Sequence, residues 1–151
     1  MIRLCVLEKV MPHVFAYGTL EIPEVMTAVT GRMFLSVGAI AHGFARFLIQ
    51  NRNYPGMTPD GTAKTSGRLY LDVDSITFQI LDRFEDPVYR RQAICVQTLK
   101  GDWVEAESYI LSPDCQDLLS AEPWDQEFFM THYLSQYVKA CQDFYGRVDG
   151  V

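Results

Sequence analysis

Strand-like segments fall into two groups along this chain, separated by one strongly amphipathic helix, and nowhere do strands and helices alternate regularly. A doubly wound parallel sheet requires that alternation, so the order strands, helix, strands, helix predicts an α+β chain instead. Residues 2–7 alternate weakly and read as an edge strand. Residues 14–17 form a short apolar run stopped by Gly18, as expected of a buried strand entering a tight turn. Residues 23–29 read as a short helix, with Gly31 placed where φ > 0 is tolerated. Residues 34–40 and 44–49 read as two strands broken at His42 and Gly43, and 51–61 as a loop rich in Asn, Pro and Gly. Over 66–73, Leu69, Leu71 and Val73 alternate with Arg68, Tyr70 and Asp72, the pattern of a half-buried strand. Residues 74–85 carry a helical period with Asp74 as N-cap, and Pro87 bars its continuation. Residues 92–99 and 103–111 flank Lys100-Gly101-Asp102, a hairpin signal. Residues 123–145 form the longest helical candidate, with Phe129, Tyr133, Tyr137, Cys141 and Phe144 on one stripe. Trp124 and Phe128 fall off that stripe, so this helix is expected to be bent or packed on two sides.

Composition narrows the function classes. At 151 residues the chain, read as a single domain over 1–151, can bury a core without disulfide or metal staples. A net charge of −6 provides no basic footprint, so no nucleic-acid partner is expected. No apolar run approaches the ~20 residues of a membrane span. The first residues carry Arg3, Glu8 and Lys9 and lack the pattern of a secretion signal. Cys5, Cys95, Cys115 and Cys141 are scattered, as are His13, His42 and His132. They suggest reduced thiols in a cytoplasmic protein, with no metal site. Gly56 and Gly61 lack the Lys that a phosphate-binding loop needs directly after the second glycine. Nothing in the sequence specifies an oligomeric state.

Two features carry chemistry. On a helical projection at about 100° per residue, Ile76, Phe78, Ile80, Leu81 and Phe84 share one arc. Glu85 falls inside that arc, between Leu81 and Phe78, as its one carboxylate. Burial and the helix C-terminus both disfavour a negative charge there and raise the pKa, as general acid–base chemistry requires. Two other fates stay open: the last turn frays into water, or Glu85 pairs with Arg90 or Arg91. The second feature is Tyr17-Gly18-Thr19-Leu20, a strand delivered into a glycine turn. Such a turn either exposes main-chain N–H groups to a carboxylate or oxyanion, or is an ordinary connection.

These segments, taken with others in the same order, resemble the γ-glutamylcyclotransferase-like family. Tyr17-Gly18-Thr19-Leu20 matches its Y-G-S/T-L signature, Tyr54-Pro55-Gly56 its Y-P-G loop, and Gly67-Arg68-Leu69-Tyr70 its G-x-L/V-Y strand. Leu81-Asp82-Arg83-Phe84-Glu85 matches L-D-x-F/Y-E, Tyr89-Arg90-Arg91 matches Y-x-R, and Ala106-Glu107-Ser108-Tyr109 matches A-x-x-Y. The resemblance spans residues 14–109, with a weaker echo over 124–145, and is nearest the γ-glutamylamine cyclotransferase branch and its small bacterial and plant relatives. Two departures stand out. Residues 1–10 precede the usual start and look like an extension, and Ala16 stands where a larger apolar residue is usual.

The resemblance implies a small mixed β-barrel flanked by helices, with a cavity at one end. It implies a cofactor-independent enzyme that cyclises a γ-glutamyl amine to 5-oxoproline and frees the amine. Glu85 is then the catalytic acid/base, and Tyr17, Gly18, Thr19 and Leu20 hold the γ-glutamyl group. Tyr109 is expected to bond Glu85 or the ligand, or else to be a surface strand tyrosine; Tyr54 is expected at the cavity mouth or in simple packing. A non-catalytic module, binding a γ-glutamyl or carboxylate metabolite or docking a protein, is the alternative on the same fold.

Overall fold

In the computed structural model of the chain, residues 12–149 are described. The expected strand at 2–7, the extension 1–10 and Cys5 lie outside the described residues. The elements run β1 (Val14–Ala16), a 3₁₀ turn (Thr19–Glu21), α1 (Pro23–Thr30), β2 (Ser36–Leu48), β3 (Pro55–Tyr70) and α2 (Ser75–Phe84). They continue with β4 (Tyr89–Thr98), β5 (Trp103–Leu111), a second 3₁₀ turn (Pro113–Leu118), α3 (Gln126–His132) and α4 (Leu134–Asp149).

The five strands close into a barrel in the order β1-β3-β2-β4-β5. The expected small mixed barrel with flanking helices is therefore present: β1 is antiparallel to β3 and parallel to β5. The parallel seam is short, holding Val14 opposite Glu107. Two hydrogen bonds reinforce it, from Glu107 N–H to the His13 carbonyl and from the Ser108 hydroxyl to the Phe15 carbonyl.

The continuous apolar run of β1 follows from its place in this barrel. Phe15 and Tyr17 point into a barrel core with Met57, Leu69 and Val96. Val14 and Ala16 point the other way, into a second core shared with Val25, Met26, Leu81 and Phe129. A strand covered on both faces has no solvent side on which to place polar residues. The same holds at Tyr70, which the alternation of 66–73 put on an outer face. Tyr70 is buried in the helix-side core, and its hydroxyl bonds the Leu20 carbonyl.

Local propensity misleads in three other places. The strands expected at 34–40 and 44–49 are one strand, β2, kinked by a bulge where the register shifts between His42 and Phe44. Gly43 takes φ 84° there. The loop expected at 51–61 ends at Tyr54, because Pro55–Pro59 pair antiparallel with Phe44–Leu48. Cross-strand pairing overrides the turn-forming composition. The helix expected over 123–145 is divided at Tyr133, whose φ −127° and ψ −20° leave the helical region, and its first turn is capped by Asp125 rather than begun at Pro123. Phe129 and Cys141 of its stripe are buried, whereas Tyr133 is exposed. The expected hairpin, with Gly101 at φ 102°, is present.

Gly67 lies where β3 passes under β1, and a Cβ there would collide with the Ala16 carbonyl oxygen and the Phe15 ring. Gly67→Ala is expected to cost about 1–3 kcal/mol through overpacking. A shift of the urea midpoint to lower concentration checks this; an unchanged midpoint contradicts it.

Candidate active site

Helix α2 delivers Glu85 to a cavity. Asp74 caps the helix, accepting from Thr77 N–H and hydroxyl, and Phe78 and Leu81 are buried beneath it. The helix ends at Phe84, one residue earlier than expected, and Glu85 is its C-cap. Glu85 N–H still donates to the Leu81 carbonyl at 3.0 Å, which keeps its Cα on the helical path. The side chain therefore continues the direction that the projection assigns to it. Its ψ of 142° then turns the chain away ahead of Pro87.

The cavity has a volume of about 380 Å³, within the range of small-molecule sites. Tyr17, Gly18, Thr19, Leu20, Tyr54, Glu85 and Tyr109 all line it, so the structure brings together every residue singled out from the sequence. It adds others the sequence did not single out for the site, notably Phe84, Tyr89 and Tyr137. Tyr137 left one trace in the sequence, a polar tip, shared with Tyr133, on a largely apolar helical stripe. A more open groove of about 630 Å³ also includes Glu85, together with Asp82, Arg83, Asp86, Arg91 and Glu107.

Electrostatics make Glu85 unusual. Neither Arg90 nor Arg91 pairs with it: Arg91 binds Asp82 at 3.0 Å and Glu107 at 3.2 Å. Among the described residues no side chain makes a hydrogen bond or ion pair with the Glu85 carboxyl. Glu85 is half-buried and lines both the cavity and the groove. That desolvation, followed by repulsion from Asp86 and Asp82, pushes its pKa up to about 8. Asp86 behaves oppositely. Partial burial opposes its ionisation, yet bonds from Tyr54, Val88 N–H and Arg52 hold it below its ordinary value.

Across the cavity, the turn at 17–21 is arranged by its carbonyls. The Tyr17 carbonyl accepts from Arg46 at 2.8 Å, Leu20 from Tyr70 at 2.6 Å, and Glu21 from Arg68 at 3.2 Å. Gly18 and Thr19 carbonyls accept from Glu21 and Ile22 N–H within the turn. With every carbonyl from Tyr17 to Glu21 engaged, the amides of Gly18, Thr19 and Leu20 donate to no other group among the described residues. Gly18 also packs so closely on Pro55 that an added Cβ would lie 3.0 Å from its ring.

The tyrosines are oriented by specific acceptors. Tyr109 donates to Asp82 at 2.7 Å and not to Glu85, and it is buried rather than a surface residue. Tyr17 donates to the Tyr109 carbonyl, and Tyr54 to Asp86 at 2.6 Å. Tyr54 lines the cavity, and the Trp124 indole N–H holds the neighbouring Asn53 carbonyl at 2.9 Å.

Comparison with known proteins places this architecture. The family described as "Gamma-glutamyl cyclotransferase, AIG2-like" matches residues 14–126. AIG2-like protein C of Arabidopsis thaliana is 33% identical over 138 residues, covering 90% of this chain and 79% of that protein. A solved structure of a gamma-glutamyl cyclotransferase shares the fold, with TM-score 0.61 at 13% identity over 87% of this chain and 86% of its own. The structure of an AIG2-like protein from Mus musculus gives TM-score 0.56 at 29% identity, over 76% of this chain and 88% of its own.

The raised pKa of Glu85 has a consequence for stability. Below the ordinary value of 4.5 the group is protonated whether the chain is folded or not. Between 4.5 and about 8 the unfolded chain releases this proton and the folded chain keeps it, so stability falls as pH rises across that window. Glu85→Gln has no proton to lose. Its stability relative to wild type is expected to increase steadily from pH 5 to 8, by up to ~1.4 kcal/mol per unit. Denaturant titrations of both proteins at several pH values check this, and parallel pH dependences contradict it.

Proposed function

The chain belongs to the Gamma-glutamyl cyclotransferase, AIG2-like family, and from that membership we propose that it is a γ-glutamyl cyclotransferase acting on a small γ-glutamyl amine. The observation that carries the proposal is a desolvated carboxyl with no cationic partner among the described residues, lining the same cavity as three amides that are unengaged among them. A pure binding pocket has little use for such a carboxyl, whereas proton transfer needs one.

The chemistry is intramolecular. The substrate's own α-amino nitrogen attacks the γ-carbonyl carbon and closes a five-membered lactam, and the bond to the leaving amine breaks. With the nucleophile already tethered, the site has to fold the substrate and move protons. The α-ammonium nitrogen carries three hydrogens and the lactam nitrogen keeps one. The other two pass to the departing nitrogen, which leaves as an ammonium. Glu85 relays both, accepting each from the α-nitrogen and returning it to the leaving group. Glu85 thus begins and ends the cycle in the same protonation state. A pKa of about 8 lies close to that of an α-amino group, so neither transfer is strongly uphill. The amides of Gly18, Thr19 and Leu20 stabilise the substrate carboxylate or the oxyanion that forms at the γ-carbon. The leaving amine extends past Glu85 into the groove between Arg83 and Glu107.

Incubating the purified protein with γ-glutamyl amines, γ-glutamyl amino acids and glutathione, and assaying 5-oxoproline, tests the reading. Release from at least one of them is expected, falling by roughly 10²-fold or more in Glu85→Gln. Comparable turnover by a folded Glu85→Gln variant removes Glu85 from the mechanism. No product from any of them, with 5-oxoproline still bound, favours the non-catalytic module.

A further inference from the structure

Six side-chain hydroxyls line the cavity, those of Tyr17, Thr19, Tyr54, Tyr89, Tyr109 and Tyr137. Each has a single hydrogen to donate. Tyr17 gives its hydrogen to the Tyr109 carbonyl at 2.5 Å, and Tyr89 gives its own to the Pro55 carbonyl at 2.5 Å. Tyr54 and Tyr109 donate to the carboxylates of Asp86 and Asp82 at 2.6 and 2.7 Å. These four hydrogens are committed, and a ligand could take them only by leaving a carbonyl or carboxylate unsatisfied.

Thr19 and Tyr137 differ. Their hydroxyl oxygens face each other at 3.2 Å, and either can be the donor. One hydrogen closes that contact and the other has no protein acceptor among the described residues. The uncommitted hydrogen belongs to a pair that includes Thr19, whose amide and those of its neighbours Gly18 and Leu20 are also unengaged. The Tyr137 ring is fixed edge-on against Phe84 and Phe129, at 6.4 and 5.2 Å between centroids. Burial holds the phenol well above its ordinary pKa, so it stays a neutral donor. Tyr137 belongs to α4, beyond the 14–126 stretch that matches the family.

We propose that Tyr137 is a further substrate-contacting residue: with Thr19 it forms a hydroxyl pair that donates one hydrogen to the ligand oxygens held by the Gly18–Leu20 amides. This rests on reading the cavity as the γ-glutamyl site. The pair is redundant by construction, because whichever hydroxyl remains after one is removed can turn its hydrogen to the ligand. A pair that only holds the turn in place behaves differently, since removing either partner breaks the same bond.

Calorimetric titration with 5-oxoproline of wild type, Tyr137→Phe, Thr19→Val and the double variant separates the two, with turnover assayed alongside. Each single variant is expected to lose no more than about threefold in affinity, and the double variant about 10- to 100-fold, the range for a hydrogen bond to a charged acceptor. Tyr137→Phe combined with Thr19→Ser, which keeps one hydroxyl, is expected to bind like Tyr137→Phe alone and controls for altered packing. A double variant no worse than the singles overturns the assignment, as does a wild type without affinity for 5-oxoproline. Wild type that binds 5-oxoproline but releases none from γ-glutamyl compounds contradicts the cyclisation reading, while the variant series still decides the role of the pair.

Discussion

A carboxyl group taken out of water without a cation to compensate it is a standing cost to a folded protein. Glu85 imposes that cost here, and the surrounding structure maintains it rather than relieving it. The Arg91 guanidinium, which lines the groove with Glu85, is held by Asp82 and Glu107. Arg52 is held by Asp86, which Tyr54 also fixes as an anion. Arg91 and Arg52 are thus tied to other acids, and two of those acids, Asp82 and Asp86, add to the repulsion on Glu85. The result is a group poised to exchange a proton near neutrality, the property on which the proposed chemistry depends.

The barrel serves this arrangement by covering β1 on both faces. With Phe15 and Tyr17 in one core and Val14 and Ala16 in the other, the strand has little freedom in where it releases the chain into the turn at Gly18. Arg46, Arg68 and Tyr70, from β2 and β3, then take the turn's carbonyls. Orientation of a peptide unit is a single choice: a carbonyl drawn into the protein sends the following N–H the other way. The Arg46 bond to the Tyr17 carbonyl thus turns the Gly18 amide, the bonds of Glu21 and Ile22 N–H to the Gly18 and Thr19 carbonyls turn those of Thr19 and Leu20, and Arg68 and Tyr70 hold the end of the turn.

Much of this was legible in the sequence because it depends on short-range pattern. The α2 period, the Asp74 cap and the Pro87 stop place Glu85 among apolar side chains, and the Gly101 hairpin follows from turn chemistry. What was not legible depends on partners far away in the chain. Pro55–Pro59 look like loop until Phe44–Leu48 lie beside them. Tyr70 reads as an outward residue until α1 and α2 cover it. The hydroxyl of Tyr109 is three residues beyond Ala106 in a recognisable motif, yet nothing local says that it bonds Asp82 rather than Glu85. Tyr137 is the clearest case. Helical spacing puts it on the buried stripe, but its meeting with Thr19, 118 positions earlier, exists only once the last helix packs against the barrel.

The most direct measurement is a site-resolved titration of the Glu85 side chain, following its carboxyl carbon by NMR in ¹³C-labelled protein with Glu85→Gln as the assignment control. An apparent pKa near 8 is predicted for the ligand-free protein. A midpoint close to the ordinary value of 4.5 would mean that water or an unseen partner stabilises the carboxylate, and the account of this site would be wrong.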